Sequence, residues 1–223
     1  MFLVIDDFLT EAECAQLQSF AVRASYAPVG KGTDAPADHK HNLQFSPKGA
    51  DQQKLVSLIG AGLNRRQRVR DTTLVKKILP PILSKYEEGM AYASHLDSPI
   101  MHDRGAVRTD LSMTVFLSDP KSYDGGALVL ESDFGEREVK PPAGGAVVYS
   151  TRLYHRVQPV TRGARFAMVT WMQSHVADPA KRKIIGELWR AYDDASRAHG
   201  EQSEESARIL FAVTELIHIW ADG

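Results

Sequence analysis

From Leu79 to His175 the chain stops reading as helix and becomes a series of short β-like runs separated by turn signals. The runs fall at Ile82–Tyr86, Ala91–His95, Asp110–Leu117, Ala127–Glu131, Arg137–Lys140, Ala146–Tyr149, His155–Val160 and Phe166–Gln173. Asp124-Gly125-Gly126 and Ala143-Gly144-Gly145 supply tight turns between them. About eight short strands with regular turns predict an antiparallel sandwich or barrel, and the jelly roll is the eight-stranded member of that class. The expected fold is therefore mainly β, a double-stranded β-helix with helices at both ends.

The flanks read differently. Phe2–Ile5 is a short strand, and Thr10 followed by Glu11 and Glu13 is a helix start with acidic residues in the first turn. Cys14 falls within that helix as a small buried side chain. Residues 27–40, with Pro28, Gly30, Gly32 and Pro36, read as a flexible loop. A second amphipathic helix is expected from Asp51 to about Arg68, with Leu55, Leu58, Ile59 and Leu63 on one face. After the β region, Asp178 caps a helix with Pro179 at its first position. Residues 199–205 break the pattern, and a last helix runs from Ala207 to about Trp220. The division expected is one domain over 1–177, its β core starting near residue 79, and a helical hairpin over 178–223. The hairpin is expected to dock on the β core, with an oligomer contact as the alternative.

Bulk properties exclude several classes. The net charge of -1 gives no signal for a polyanion partner. Arg65, Arg66, Arg68 and Arg70 form a local basic run, expected on a solvated helix end rather than on nucleic acid. The single cysteine cannot form an internal disulfide, which fits a reducing compartment. The first residues turn acidic at once and lack a basic leader. No stretch reaches the eighteen or so apolar residues that a membrane span needs. A cytoplasmic protein with neither membrane nor nucleic-acid partner is the expectation.

The chemistry resides in His95, Asp97 and His155, with Arg165 ten positions further on. Side chains two apart on a strand point to one side, so His95 and Asp97 can share an ion, with Leu96 turned into the core. His155 opens a later strand that a jelly roll can lay alongside. Two imidazoles and a carboxylate on one face leave other metal positions open, which suits a non-haem Fe(II) oxygenase. No thiolate biases the site to structural zinc. His39, His41, His102, His175, His199 and His218 are other histidines of the chain, and chance alone produces such spacings. Arg165 can reach the same cavity, where its planar fork suits a carboxylate. Its alternative is an internal ion pair with Asp110 or Glu131. Tyr86 can add a hydroxyl to the same anion or be a core tyrosine.

Three blocks of sequence carry a resemblance. They are Tyr86-Glu-Glu-Gly-Met90 leading to His95-Leu-Asp97; Arg108-Thr-Asp-Leu-Ser112 with Phe116-Leu-Ser118 and Tyr123-Asp-Gly-Gly126; and Pro142-Ala-Gly144 with His155-Arg-Val157, Pro159-Val-Thr-Arg-Gly163 and Arg165. From His41-Asn-Leu-Gln44 to Trp171-Met-Gln-Ser174 the chain resembles the PKHD-type hydroxylases. These are Fe(II)- and 2-oxoglutarate-dependent dioxygenases related to prolyl 4-hydroxylases. The helical tail also resembles that family's C-terminal extension. Glu88 in place of a glycine, Ala93-Ser94 before the first His and Arg152-Leu153-Tyr154 before the second depart from the pattern, none at a ligand position.

The resemblance implies Fe(II) on His95, Asp97 and His155, 2-oxoglutarate with its distal carboxylate on Arg165, and L-ascorbate as the reductant that keeps iron ferrous. It implies hydroxylation of a peptidyl or small-molecule substrate with molecular oxygen, releasing succinate and carbon dioxide. The carboxylate Asp97 separates it from halogenating relatives of the fold, which lack that group. Asn42, Gln44 and Arg108 are candidates for the substrate side, each equally able to be a structural hydrogen-bonding residue. Two other classes remain open on the residues: a jelly-roll metal enzyme without 2-oxoglutarate, which would not need Arg165 at that offset, and a non-catalytic binding module, which would not need an intact triad.

Overall fold

The computed structural model describes residues 2–29, 39–133 and 135–222. Strand β1 (Phe2–Ile5) leads to α1 (Glu11–Arg23) through Thr10. The Thr10 hydroxyl accepts from the Glu13 N–H, and the Glu13 carboxylate accepts from the Thr10 N–H. This reciprocal cap satisfies two donors that a helix start leaves without partners. Of the expected loop over 27–40, residues 30–38, including Gly30, Gly32 and Pro36, lie outside the described residues. Its two ends are strand instead, β2 (Ala27–Pro28) and β3 (Lys40–His41), and β4 (Leu43–Phe45) follows.

The helix expected over 51–68 is two helices, α2 (Gly49–Asn64) and α3 (Gln67–Thr73). Arg66 breaks it with an extended backbone, and its guanidinium reaches the Phe8 and Gly62 carbonyls and the Asp7 carboxylate. Arg65 pairs with Glu13. These two members of the basic run tie a helix end to the N-terminal segment, a local use that sequence periodicity cannot show.

The β region comprises β5 (Val75–Ile78), β6 (Ile82–Tyr86), β7 (Ala91–His95), β8 (Ile100–His102), β9 (Ala106–Arg108), β10 (Leu111–Phe116), β11 (Asp124–Gly125), β12 (Leu128–Ser132), β13 (Gly135–Val139), β14 (Ala146–Ser150), β15 (His155–Val157), β16 (Val160–Arg162) and β17 (Arg165–Ser174). The run expected over 155–160 is split because Pro159 cannot donate to a ladder. The large sheet has the order β1-β14-β10-β17-β6-β4-β2, with β5 also on β17. The small sheet has the order β13-β12-β15-β7-β3. Among the described residues every pairing is antiparallel, and the central neighbours are far apart in sequence, as in a jelly roll.

Alternation along the strands assigns the two faces of the large sheet. Leu111, Met113 and Val115 of β10 join Met168 and Met172 of β17 against Leu17, Ala21, Leu55, Ile59 and Leu63 of α1 and α2. Each of these buried Leu, Ile, Val and Met side chains contributes roughly 1.5–3 kcal/mol relative to an exposed one. The opposite face faces the small sheet, where Phe116, Val147 and Tyr149 meet Leu128, Leu130 and Val139. Tyr86 and Arg165 are register partners on that inner face.

The tail is α4 (Pro179–His199) and α5 (Glu204–Trp220). As expected, the Asp178 side chain caps α4 and Pro179 opens it. The last helix starts before Ala207 because the Ser203 hydroxyl accepts from the Ser206 N–H. Val176, Ile185 and Val213 form the centre of this unit. Arg182 is buried and donates to the carbonyls of Val176 and Ala177.

Candidate metal centre

His95 ends β7 and His155 opens β15, and the two residues are direct partners across that ladder. Two residues later on β15, Val157 faces Tyr92, three residues back on β7. The extra residue is a β-bulge, which re-aims a side chain. It turns Tyr92 to the same side as His95, and the two rings stack with centroids 3.6 Å apart and 17° between planes. The bulged Ala93 N–H is taken up by the His39 carbonyl.

Asp97 lies just past the end of β7. One of its oxygens accepts from the Ser112 hydroxyl at 2.5 Å. The expectation that Leu96 turns into the core is wrong: Leu96 is 44% exposed. Strand alternation cannot place it, because β7 stops at His95. Even so, one potential ligand atom from each of His95, Asp97 and His155 lies within 4.8 Å of the others. Asp97 oxygens stand 4.0 Å from His95 Nε2 and 3.6 Å from His155 Nε2.

The ring tautomers follow from the neighbours. His95 Nδ1 is 2.8 Å from the Ala93 carbonyl and His155 Nδ1 is 3.1 Å from the Leu153 carbonyl. A carbonyl only accepts, so both Nδ1 atoms carry hydrogen, which leaves Nε2 as the ligand atom of each ring. Burial, and then the neighbouring His155, lower the His95 pKa to about 4. Tyr149 packs edge-on against His155, 4.9 Å between centroids. Two imidazoles, one carboxylate and no thiolate are a donor set that suits Fe(II).

Arg165 lies in the same interior and is 1% exposed. Its guanidinium carbon sits 5.1 Å from the Tyr86 ring centre and 5.0 Å from that of Phe116. Nε and Nη2 are buried without a hydrogen-bond partner. The alternative of an internal ion pair does not hold: Asp110 pairs with Arg108 and Glu131 with Arg156. A buried guanidinium with idle donors is costly unless an anion meets it, so the pocket fits a carboxylate cosubstrate.

Tyr86 is fully buried beside Arg165, and burial raises its pKa to about 12, so the hydroxyl stays a donor. Asn42 lies near that hydroxyl, yet both of its amide atoms lack an aligned partner. Gln44 stands opposite Ser84 on the large sheet. Arg108 is not drawn into the cluster. Its guanidinium holds Asp110, the Ser174 carbonyl and Asp222, which uses its donors on the chain's own C-terminal region.

Sequence reasoning passed over Ser112, Tyr149 and Tyr123. Tyr123 has a buried hydroxyl beside Arg165, with no aligned hydrogen bond between them. The available signal was Gly126 in the Tyr-Asp-Gly-Gly block. At Gly126 φ is +62°, and a Cβ would lie 3.0 Å from Tyr123 Cε2 and 3.2 Å from Arg165 Cδ. Only glycine lets these two side chains close together there. Ser112 carries no such signal, because it shares the inner face of β10 with a second hydroxyl residue, Thr114.

Comparison with known proteins places the chain among described families. The profile of the 2OG-Fe(II) oxygenase superfamily matches residues 81–173. A PKHD-type hydroxylase of Xanthomonas axonopodis pv. citri is 40% identical, with each chain covered over 100% of its length. One from Synechococcus sp. strain JA-2-3B'a(2-13) is likewise 40% identical over 100% of both. Among solved structures, a Pseudomonas putida prolyl-4-hydroxylase superposes with TM-score 0.58 at 20% identity, over 77% of this chain and 92% of that one.

Proposed function

This chain belongs to the PKHD-type hydroxylases of the 2OG-Fe(II) oxygenase superfamily, and on that premise we propose that His95, Asp97 and His155 hold its iron and Arg165 its 2-oxoglutarate. The protein is a dioxygenase that uses Fe(II) and 2-oxoglutarate to hydroxylate a substrate. The iron and cosubstrate together supply the oxidising power, so that one oxygen of O2 becomes the substrate hydroxyl while 2-oxoglutarate leaves as succinate and carbon dioxide.

The chain's own residues bind, orient and shield. The two Nε2 atoms and an Asp97 oxygen would hold the metal, with the Nδ1–H groups fixed on backbone carbonyls. Ser112 donates to one Asp97 oxygen and sets the angle of the carboxylate. Arg165 meets the distal carboxylate of 2-oxoglutarate, and the Tyr86 and Tyr123 hydroxyls add hydrogen bonds to it. Phe116 and Tyr86 close over the guanidinium and keep water from competing. Asn42 and Gln44 stand on the substrate side, ascorbate keeps the iron ferrous, and the substrate is a peptide or a small molecule. Residues 1–177 form the dioxygenase domain and 178–223 an extension that braces it.

The observation that carries this assignment is the unpaired Arg165 guanidinium sharing an interior with a His-Asp-His cluster. The test is succinate release with Fe(II), 2-oxoglutarate and ascorbate, alongside metal content. Asp97→Ala should abolish turnover and weaken Fe(II) binding, while His102→Ala leaves metal content unchanged. Succinate formed at the wild-type rate by Asp97→Ala would sink the triad.

A further inference from the structure

Lys40, Asn42 and Gln44 alternate along one stretch of chain. Asn42 falls between β3 and β4, where strand alternation lapses, so the register of each strand assigns the faces. Lys40 stands opposite Tyr92, whose ring lies on His95. Gln44 stands opposite Ser84, two residues from Tyr86, and therefore shares the face of Tyr86 and Arg165. Because β3 belongs to the small sheet and β4 to the large one, this polar stripe crosses between the sheets along their inner side.

Folding alone gives no reason for the amide at its centre, since an unpaired buried polar group costs about 1–3 kcal/mol. Asn42 is 3% exposed, and its amide oxygen and nitrogen both lack a partner. The Lys40 ammonium sits 4.8 Å from the Tyr92 ring centre, over the side chain that stacks on His95. Among the described residues no carboxylate forms an ion pair with Lys40. Burial lowers its pKa, and the carboxylate that opposes this effect is Asp97. Asp97 belongs to the metal triad, so its charge is neutralised once a cation binds. A half-buried ammonium at the rim of the centre is then left without an anion.

Resting on the dioxygenase reading above, we propose that Lys40 anchors a carboxylate carried by the substrate, with Asn42 and Gln44 hydrogen-bonding to the polar groups next to it. The enzyme thereby selects an anionic, amino-acid-like or peptide-like substrate over a neutral one. Arg165 and Lys40 divide the two acids: the buried fork takes the cosubstrate, and the ammonium at the rim takes the substrate.

The test uses the full chain, anaerobic, with Fe(II) and 2-oxoglutarate bound, titrated calorimetrically with N-acetylglycine and with its neutral counterpart N-acetylglycinamide. The wild-type protein should bind the acid about tenfold more tightly than the amide. Lys40→Met should erase that preference and Lys40→Arg should keep most of it, with both variants retaining the wild-type circular dichroism spectrum. Equal affinity of the wild-type protein for the two probes, including none for either, overturns the assignment. So does a preference that survives Lys40→Met. A fall of about tenfold in the 2-oxoglutarate affinity of Lys40→Met also overturns it, by giving the ammonium to the cosubstrate. Wild-type protein that fails to bind 2-oxoglutarate at all defeats the dioxygenase reading itself, a result separate from any on the probes.

Discussion

Arg165 sits among aromatic rings with two idle donors and no carboxylate facing it. A charge held that way lowers stability until a ligand arrives. Arg165→Met should therefore raise the thermal midpoint of the cosubstrate-free protein and weaken 2-oxoglutarate binding by roughly a hundredfold, since a buried ionic partner is lost. Tyr123→Phe, which removes one neutral donor, should weaken it about five- to tenfold. Calorimetric titration with 2-oxoglutarate reads both, and unchanged affinity in Arg165→Met would move the carboxylate elsewhere. At this scale the sequence was informative where chemistry is rare. A His-x-Asp, a later His and an arginine at fixed offset are unusual residues for an apolar core. Tyr123 and Ser112 were not legible because tyrosine and serine serve structure as often as function, and only their neighbours decide which.

Elements were predicted well where one face is apolar and poorly where backbone geometry intervenes. The strand expected at 82–86 and the strand expected at 91–95 are present with those bounds. The bulge that brings Tyr92 onto His95 was invisible, because it depends on which residue of β15 faces which residue of β7. The exposed Leu96 was missed for the related reason that alternation holds only while a strand lasts. The turn at Gly126 connects element to site. Gly126→Ala would impose about 1–2 kcal/mol of left-handed strain and push on Tyr123 and Arg165 as well. Gly135 also has a positive φ, with nothing within 4 Å of a Cβ. Both alanine variants should lose stability to urea, and only Gly126→Ala should lose 2-oxoglutarate affinity. Equal 2-oxoglutarate affinity in the two would show that the contact at Gly126 does not support the pocket.

Across the molecule, one polar network joins the β core to the tail. Arg108 holds Asp110 and Asp222, Asp110 accepts the Ser174 N–H, and the Asp222 N–H reaches the His175 carbonyl. Arg108→Ala should cost about 2 kcal/mol, since it strands a buried Asp110 although Arg108 is itself partly screened by water. Asp222→Ala should cost under about 1 kcal/mol as a surface pair. Urea denaturation measures both, and 2-oxoglutarate affinity should be unaffected in either; a loss there would bring Arg108 back to the site. The β core, the helical ends and the residue types of the candidate metal centre are legible in the sequence alone, because periodicity and rare side chains are local properties that survive without coordinates. Only the tertiary structure decided that Arg165 is unpaired, that Arg108 belongs to the tail and that Lys40 faces inward. Each of those depends on which groups from distant parts of the chain stand within a few ångströms, and a hydrogen bond or an ion pair exists only at that distance.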